Sequence, residues 1–202
     1  MARYGMVIDL SRCIGCNTCT VACKIKNATP PGVQWCRVLS REVGKYPDVR
    51  VTNMFMRCMH CKTPPCLRAC PTGAIYKRPD NIVAVDSNKC NGYRYCETAC
   101  PYGALNFVKE IKPYSSKFGF TLFEKAGYVG HKAGVVEKCN FCTDRVDAGL
   151  KPACVGACPT RTLQFGDLDN PNSEVSKLIT RRQGFQLLPK LGTNPAVYYL
   201  PA

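Results

Sequence analysis

The stretch from Cys58 to Pro101 constrains this chain most. It holds two groups of cysteines, CMHCKTPPCLRACP and, nineteen residues after Cys70, CNGYRYCETACP. Both close in Cys-x-x-x-Cys-Pro. Two more groups flank them: CIGCNTCTVAC, from Cys13 to Cys23, and a spread set of Cys139, Cys142, Cys154 and Cys158. Only Cys36, of sixteen cysteines, stands outside a group. In a disulfide framework CxxC pairs are not repeatedly followed by a third and fourth thiol. Thiolates at this spacing bind metal, and metal binding becomes part of folding.

The first group reads C-x2-C-x2-C-x3-C, the bacterial ferredoxin run in which three thiolates hold one iron-sulfur cluster and the fourth reaches its neighbour. A zinc ribbon closes its tetrahedron with two CxxC pairs and has no use for a third cysteine at that spacing. Cys-Pro at Pro71, Pro101 and Pro159 also suits the ferredoxin turn. The gaps decide how the groups pair: nineteen residues after Cys70, against thirty-four after Cys23 and thirty-eight after Cys100. The expected fold is therefore α+β, two nested bacterial ferredoxin-like modules of the 2[4Fe-4S] type with short strands and cluster-binding loops. A continuous module, residues 50–112, is inserted into a split module made of 1–49 and 113–172, and 173–202 forms an extended arm over its own domain or a partner. Crossed ligation then gives four sites. Cys13, Cys16, Cys19 and Cys158 form one; Cys139, Cys142, Cys154 and Cys23 the next; Cys58, Cys61, Cys66 and Cys100 a third. The fourth keeps only Cys70, Cys90 and Cys96.

At that fourth site Tyr93 stands where a cysteine is due, three residues after Cys90. Three outcomes are open. The leading one is a [3Fe-4S] cluster, for which three thiolates suffice, with the bulky ring in the vacated corner. A second has tyrosinate on the fourth iron, although a phenol of pKa near 10 is a reluctant ligand. The third is a [4Fe-4S] cluster completed by water or a distant thiol, Cys36 being the only spare one. Cys36 otherwise reads as a small apolar side chain on a strand. His60, inside the second CxxC, offers either a hydrogen bond to cluster sulfur or a plain loop contact. Trp35 reads as a packing anchor. His131 carries no assignment.

Residues 4–10, YGMVIDL, alternate like a strand and lead into Cys13; IVAVDSNKC, residues 82–90, repeats the arrangement, aligning Asp9 with Asp86 and Arg12 with Lys89. Another alternating strand is expected from Val33 to Val43, a Gly- and Lys-rich surface excursion over 112–137, and an N-cap at Ser173. The formal charge of +14 suggests nucleic acid at first sight. Fifteen thiolates around four cluster cores bring it to roughly +6, so a basic surface compensating anionic clusters is expected and nucleic acid is not. Nothing at the start of the chain reads as a secretory leader, and no apolar run is long enough to span a bilayer, so export or membrane attachment is expected only through a partner. No Ser/His/Asp set, paired carboxylates or phosphate-binding loop appears, so no catalysis is expected from this chain alone.

The phrases CPTGAI, CPYGAL, ACVGACPT, FGDLDNPNSEV and NPAVYYL, with four groups in this order, closely resemble the iron-sulfur subunits of the dimethyl sulfoxide reductase family of molybdenum enzymes. Its relatives include polysulfide, thiosulfate and tetrathionate reductases, formate dehydrogenases and a soluble transhydroxylase. The resemblance covers nearly the whole chain and shares the nested pairing. It implies an electron-transfer subunit carrying three [4Fe-4S] clusters and one [3Fe-4S] cluster. The partner it implies is a large catalytic subunit with a molybdenum or tungsten bis-pterin cofactor, often joined by an integral membrane, quinone-reactive anchor. The expected location is peripheral, in a membrane-associated complex, or soluble in the cytoplasm. The Cys13 site would lie nearest the catalytic subunit and the Tyr93 site at the far end. Tyr93 departs from most close relatives, which keep a cysteine there; nitrate reductase-like subunits carry tryptophan with a [3Fe-4S] cluster. Two other classes stand beside this reading: a free polyferredoxin, and, more remotely, a zinc-dependent nucleic-acid binder.

Overall fold

The computed structural model describes residues 2–202. Its elements are short because cysteine loops interrupt nearly every run. In order they are β1 (Tyr4–Asp9), α1 (Thr18–Asn27), β2 (Cys36–Lys45), β3 (Asp48–Arg57), α2 (Pro65–Arg68), β4 (Ile75–Lys77), β5 (Val83–Val85) and α3 (Tyr95–Ala99). There follow β6 (Leu105–Phe107), α4 (Leu122–Gly127), β7 (Val136–Lys138), α5 (Thr143–Asp147), α6 (Ala153–Gly156), β8 (Leu163–Asp167), α7 (Glu174–Arg181) and β9 (Val197–Leu200). The class is α+β, with four small sheets.

The strand expected at residues 4–10 is central in a β8-β1-β9 sheet, antiparallel to β8 and parallel to β9. Its alternation serves two cores. Met6 and Ile8 face the cysteine-rich interior, while Val7 packs with Val175 and Leu200 beneath α7. Ser173 caps α7 as expected from the sequence, its hydroxyl accepting from Ser176 N at 3.2 Å. The last thirty residues are thus an integral sheet strand and helix rather than an arm. Val197, Tyr199 and Leu200 are at most 1% exposed, because the apolar VYYL run pairs in parallel with the buried β1. Between helix and strand the chain straps the second cysteine group: Lys62 N donates to Asn194 O at 2.8 Å, and Ala196 N to Met59 O at 2.9 Å.

The expected boundary at 49/50 falls inside a hairpin. β2 and β3 pair in unbroken register from Cys36↔Arg57 to Lys45↔Asp48. Ten consecutive cross-strand pairs tie residues 48–57 to 36–45, and that pairing outweighs the gap-length argument that divided them. β6, from the expected inserted module, pairs with β7, from the split one. One core joins Met6 and Ile8 to Phe55, Met59, Ile82 and Phe141, so the two expected modules share their interior. The excursion over 112–137 is tethered by its polar groups. Thr121 and Glu124 form a reciprocal capping box on α4, Tyr114 N donates to Glu124 at 2.7 Å, and the Tyr114 hydroxyl donates to Thr29 O at 3.2 Å.

Candidate metal centres

Cys13 and Cys16 lie on the loop between β1 and α1, Cys19 in the first turn of α1, and Cys158 just after α6. All four line one cavity with Val38 and Phe55. The loop is possible because Gly15 adopts φ +72°, where a Cβ would meet Asn53 Oδ1 at 2.8 Å. Asn53 in turn donates to Cys13 O at 3.1 Å. As free thiols Cys16, Cys19 and Cys158 differ. The Thr18 hydroxyl, 3.3 Å away, holds the exposed Cys16 below its usual range, whereas burial pushes Cys19 up to about 12, with the charges of Cys13 and Cys158 adding to it. Burial would raise Cys158 as well, but the Thr160 hydroxyl and the backbone N–H groups of Leu163 and Thr162 bring it below the usual thiol range.

One turn along α1, Cys23 stands with Cys139, Cys142 and Cys154, and all four are buried. Burial pushes Cys139 up to about 11 against the pull of Arg57. It raises Cys154 further, with Cys139, Cys23 and Cys142 as charged neighbours. Cys23 falls to about 7, first because the Cys36 thiol donates to it. Cys36 is buried, as a small core side chain is expected to be; its thiol also lies 3.9 Å from Cys19 O, and it stands opposite Arg57 in the hairpin.

Cys58, Cys61, Cys66 and Cys100 gather as the third group. Burial pushes Cys61 and Cys66 up to about 12, and the like charge of Cys58 adds to it for each. The Thr193 hydroxyl of the strap serves Cys61 and shares a 2.6 Å bond with Tyr102 Oη. In the fourth group burial pushes Cys96 up to about 11, with Cys70 and Cys90 as neighbouring charges. Val136 N donates to Cys90 Sγ at 3.4 Å. Thr72 lies 3.5 Å from Cys70, whose thiol is lowered by that hydroxyl and nearby backbone N–H groups against the opposing effect of burial. Tyr93, in the place that Cys16 holds in the first group, is 56% exposed and stacks on Tyr95 at 6.0 Å with an 8° interplanar angle; Arg94 after it is left-handed at φ +62°, as Asn17 after Cys16 is at +59°.

The groups adjoin in sequence. The first two share α1 and α6, which pack together; the last two share α2 and α3, also packed together. Arg57 joins the middle pair, since it precedes Cys58 and donates to Cys139 Sγ. The donor chemistry fits iron-sulfur clusters, with three or four thiols per group and buried N–H donors near sulfur. His131, unassigned by sequence, lies 2.6 Å from Glu137 and 2.8 Å from Asn27 O. Trp35 Nε1 donates to the same Glu137 at 3.2 Å, so this anchor also has a polar partner.

A family model described as a 4Fe-4S dicluster domain matches residues 49–117 and 124–168, and one described as a 4Fe-4S binding domain matches residues 4–25. A Halobacterium salinarum protein provisionally named as a dimethyl sulfoxide reductase iron-sulfur subunit is 42% identical over 99% of this chain and 79% of its own length. The arsenate respiratory reductase iron-sulfur subunit of a Shewanella species is 36% identical over 98% of this chain and 96% of its own. A sulfite dehydrogenase subunit of Allochromatium vinosum is 40% identical over 100% and 84%.

Proposed function

The chain belongs to the family of iron-sulfur subunits of dimethyl sulfoxide reductase-type enzymes, and from that premise we propose that it relays electrons along a row of four clusters in an oxidoreductase complex. The observation that carries this reading is the gradation of burial along the row. The first group includes the exposed Cys16, and Cys70 and Cys90 of the last are half-buried, whereas all of the second group and three of the third are buried. A relay needs accessible ends and a shielded middle. Each end group would exchange electrons with a partner, and the middle groups would pass them on inside the protein.

The partner at the Cys13 end is a large catalytic subunit holding a molybdenum or tungsten bis-pterin cofactor. At the Tyr93 end it is a quinone-reactive membrane protein or another redox carrier. This chain performs no substrate chemistry itself; its own residues hold the clusters, set their surroundings and dock the partners. Exposed apolar side chains support docking: Ile14 and Val21 near the first group, Phe118, Leu122 and Val129 on the excursion. No helix among the described residues is long and apolar enough to cross a membrane, so the subunit is peripheral if the complex is membrane-bound. That apolar surface also counts against a free polyferredoxin.

Three thiolates at the Tyr93 site hold a [3Fe-4S] cluster in this reading, for a total of about fifteen irons per chain. Purification from the native source should yield this chain with a much larger one, and isolation as a functional monomer would refute the reading. The oxidised protein should give the paramagnetic resonance signal of a [3Fe-4S] centre, and Tyr93→Cys should abolish it while raising iron to about sixteen. An oxidised wild-type protein without that signal removes the [3Fe-4S] assignment and leaves the relay standing.

A further inference from the structure

Arg57 is the last residue of β3 and only 3% exposed. Its Nη2 donates to Cys139 Sγ; its Nη1 lies 3.2 Å from Met6 Sδ and 4.0 Å from Cys154 Sγ. Its Nε has no partner, although a buried unpaired donor ordinarily costs about 1–3 kcal/mol. The guanidinium carbon lies 4.1 Å from the centre of the Phe141 ring. The His60 ring stacks on Phe141 at 3.9 Å and 19°. Two groups this close to one ring centre cannot share a face, so Phe141 is held between them.

His60 has the same incomplete pairing. Its Nδ1 accepts from Val83 N at 3.1 Å, which leaves the proton on Nε2. That N–H has no partner, and the residue is 1% exposed. His60 and Phe141 also occupy equivalent places, third in the CxxC of Cys58–Cys61 and of Cys139–Cys142. Both adopt left-handed backbone, at φ +43° and +59°. In the end groups the corresponding residues are Gly15 and Gly92, at φ +72° and +70°. A ring residue in that conformation costs on the order of 1–3 kcal/mol. Glycine would avoid the cost; only the rings make the stack.

We propose that Arg57, Phe141 and His60 form a tuning stack between the two middle clusters, with Arg57 Nε–H and His60 Nε2–H donating to cluster sulfur and the guanidinium holding both clusters at higher reduction potential. Arg57 is a positioning and charge-compensating residue. The electron a middle cluster gains comes from its neighbour in the row, and the added negative charge meets a permanent cation, so no proton need accompany it. The inference rests on the four-cluster reading of this chain.

The test is a redox titration of the intact complex, following each cluster's paramagnetic signal, with end-cluster signals identified by their change in Cys16→Ser and Cys70→Ser. Arg57→Met should move the middle couples to more negative potential, the Cys139/Cys154 couple furthest, and leave the end couples in place. Arg57→Lys keeps the charge without the fork and should move them less. Unmoved middle couples in a fully loaded Arg57→Met protein, or all four couples moving equally, would overturn the proposal. If Arg57→Met does not load, Arg57→Lys decides: a displacement confined to the middle couples supports the stack and none overturns it. Iron and sulfide for fewer than four clusters in the wild type would instead overturn the reading beneath it.

Discussion

At the ends of the row, the third residue of each short loop is glycine, and the basic residue before the first cysteine, Arg12 or Lys89, has a side chain 56% or 67% exposed. In the middle, that third residue is a strained ring, and the basic residue, Arg57 or Lys138, is 3% exposed. The thiols follow this division only in part: threonine hydroxyls help lower Cys16, Cys70 and Cys158 at the ends and burial raises Cys61, Cys66, Cys139 and Cys154 in the middle, but burial also raises Cys19 and Cys96 at the ends, and Cys23 in the middle is lowered. The motif is common to all four groups, but its surroundings assign it two jobs. End groups can be built from local turns and solvent. Middle groups require buried cations, because thiolates removed from water need compensating charge.

The largest effect expected from this division is a contrast between two ligand deletions. Cys154→Ala removes a thiolate beside Arg57 and leaves that guanidinium undercompensated, at a cost of about 3–5 kcal/mol. Since cluster binding contributes to folding, the chain should lose nearly all its iron and its cooperative melting transition. Cys16→Ala touches an exposed thiol and should lose the iron of one site while the rest of the chain still melts cooperatively. Iron analysis with circular dichroism melting distinguishes them; equal losses would erase the division.

A smaller effect separates the loops themselves. Gly15→Ala forces a Cβ into left-handed backbone against Asn53 and disturbs the Asn53 bond to Cys13 O. The expected cost is about 1–3 kcal/mol, a fall in melting temperature of roughly 2–4 °C per kcal/mol for a chain of this size. Iron should be lost from the first site alone. His60→Gly relieves backbone strain, so any loss of stability there measures the stack. A His60→Gly protein that melts higher, with the middle potentials unchanged, would reduce the ring to a loop contact.

Much of the site was legible because cysteine spacing is local. The alignment of Asp9 with Asp86 marks a shared turn: Asp9 accepts from Ser11 N at 3.1 Å and Asp86 from Asn88 N at 2.9 Å. What stayed hidden depends on tertiary pairing. A basic residue precedes the first cysteine in all four groups, and nothing local says that Arg57 and Lys138 are buried while Arg12 and Lys89 are not. Residues 48–57 and 197–200 carry apolar side chains in sequence, but the strand that each joins depends on partners far along the chain. The stacking of Tyr93 on Tyr95 was equally hidden, since it depends on how the loop before α3 presents two rings separated by one residue.

The smallest predicted effect concerns a support of the middle region that is not a ligand. β7 delivers Cys139 and also carries Glu137, which bonds His131 at 2.6 Å. Burial and the nearby Lys24 oppose a charge on His131, but the Glu137 carboxylate and the Asn27 carbonyl outweigh them and hold its pKa above the ordinary value. A folded-state pKa above the unfolded one makes protonation favour the native state. The contribution is therefore fully present below about pH 6.5 and is lost as pH rises through the raised folded value. A charge-assisted hydrogen bond of this kind contributes on the order of 1 kcal/mol. Melting temperature should fall by a few degrees between pH 6 and alkaline pH in the wild type, and His131→Asn should flatten that slope without altering iron content. A slope that survives in His131→Asn would place the titrating group elsewhere. Selective iron loss at alkaline pH from the middle sites alone would instead show that β7 transmits the His131 charge state to Cys139.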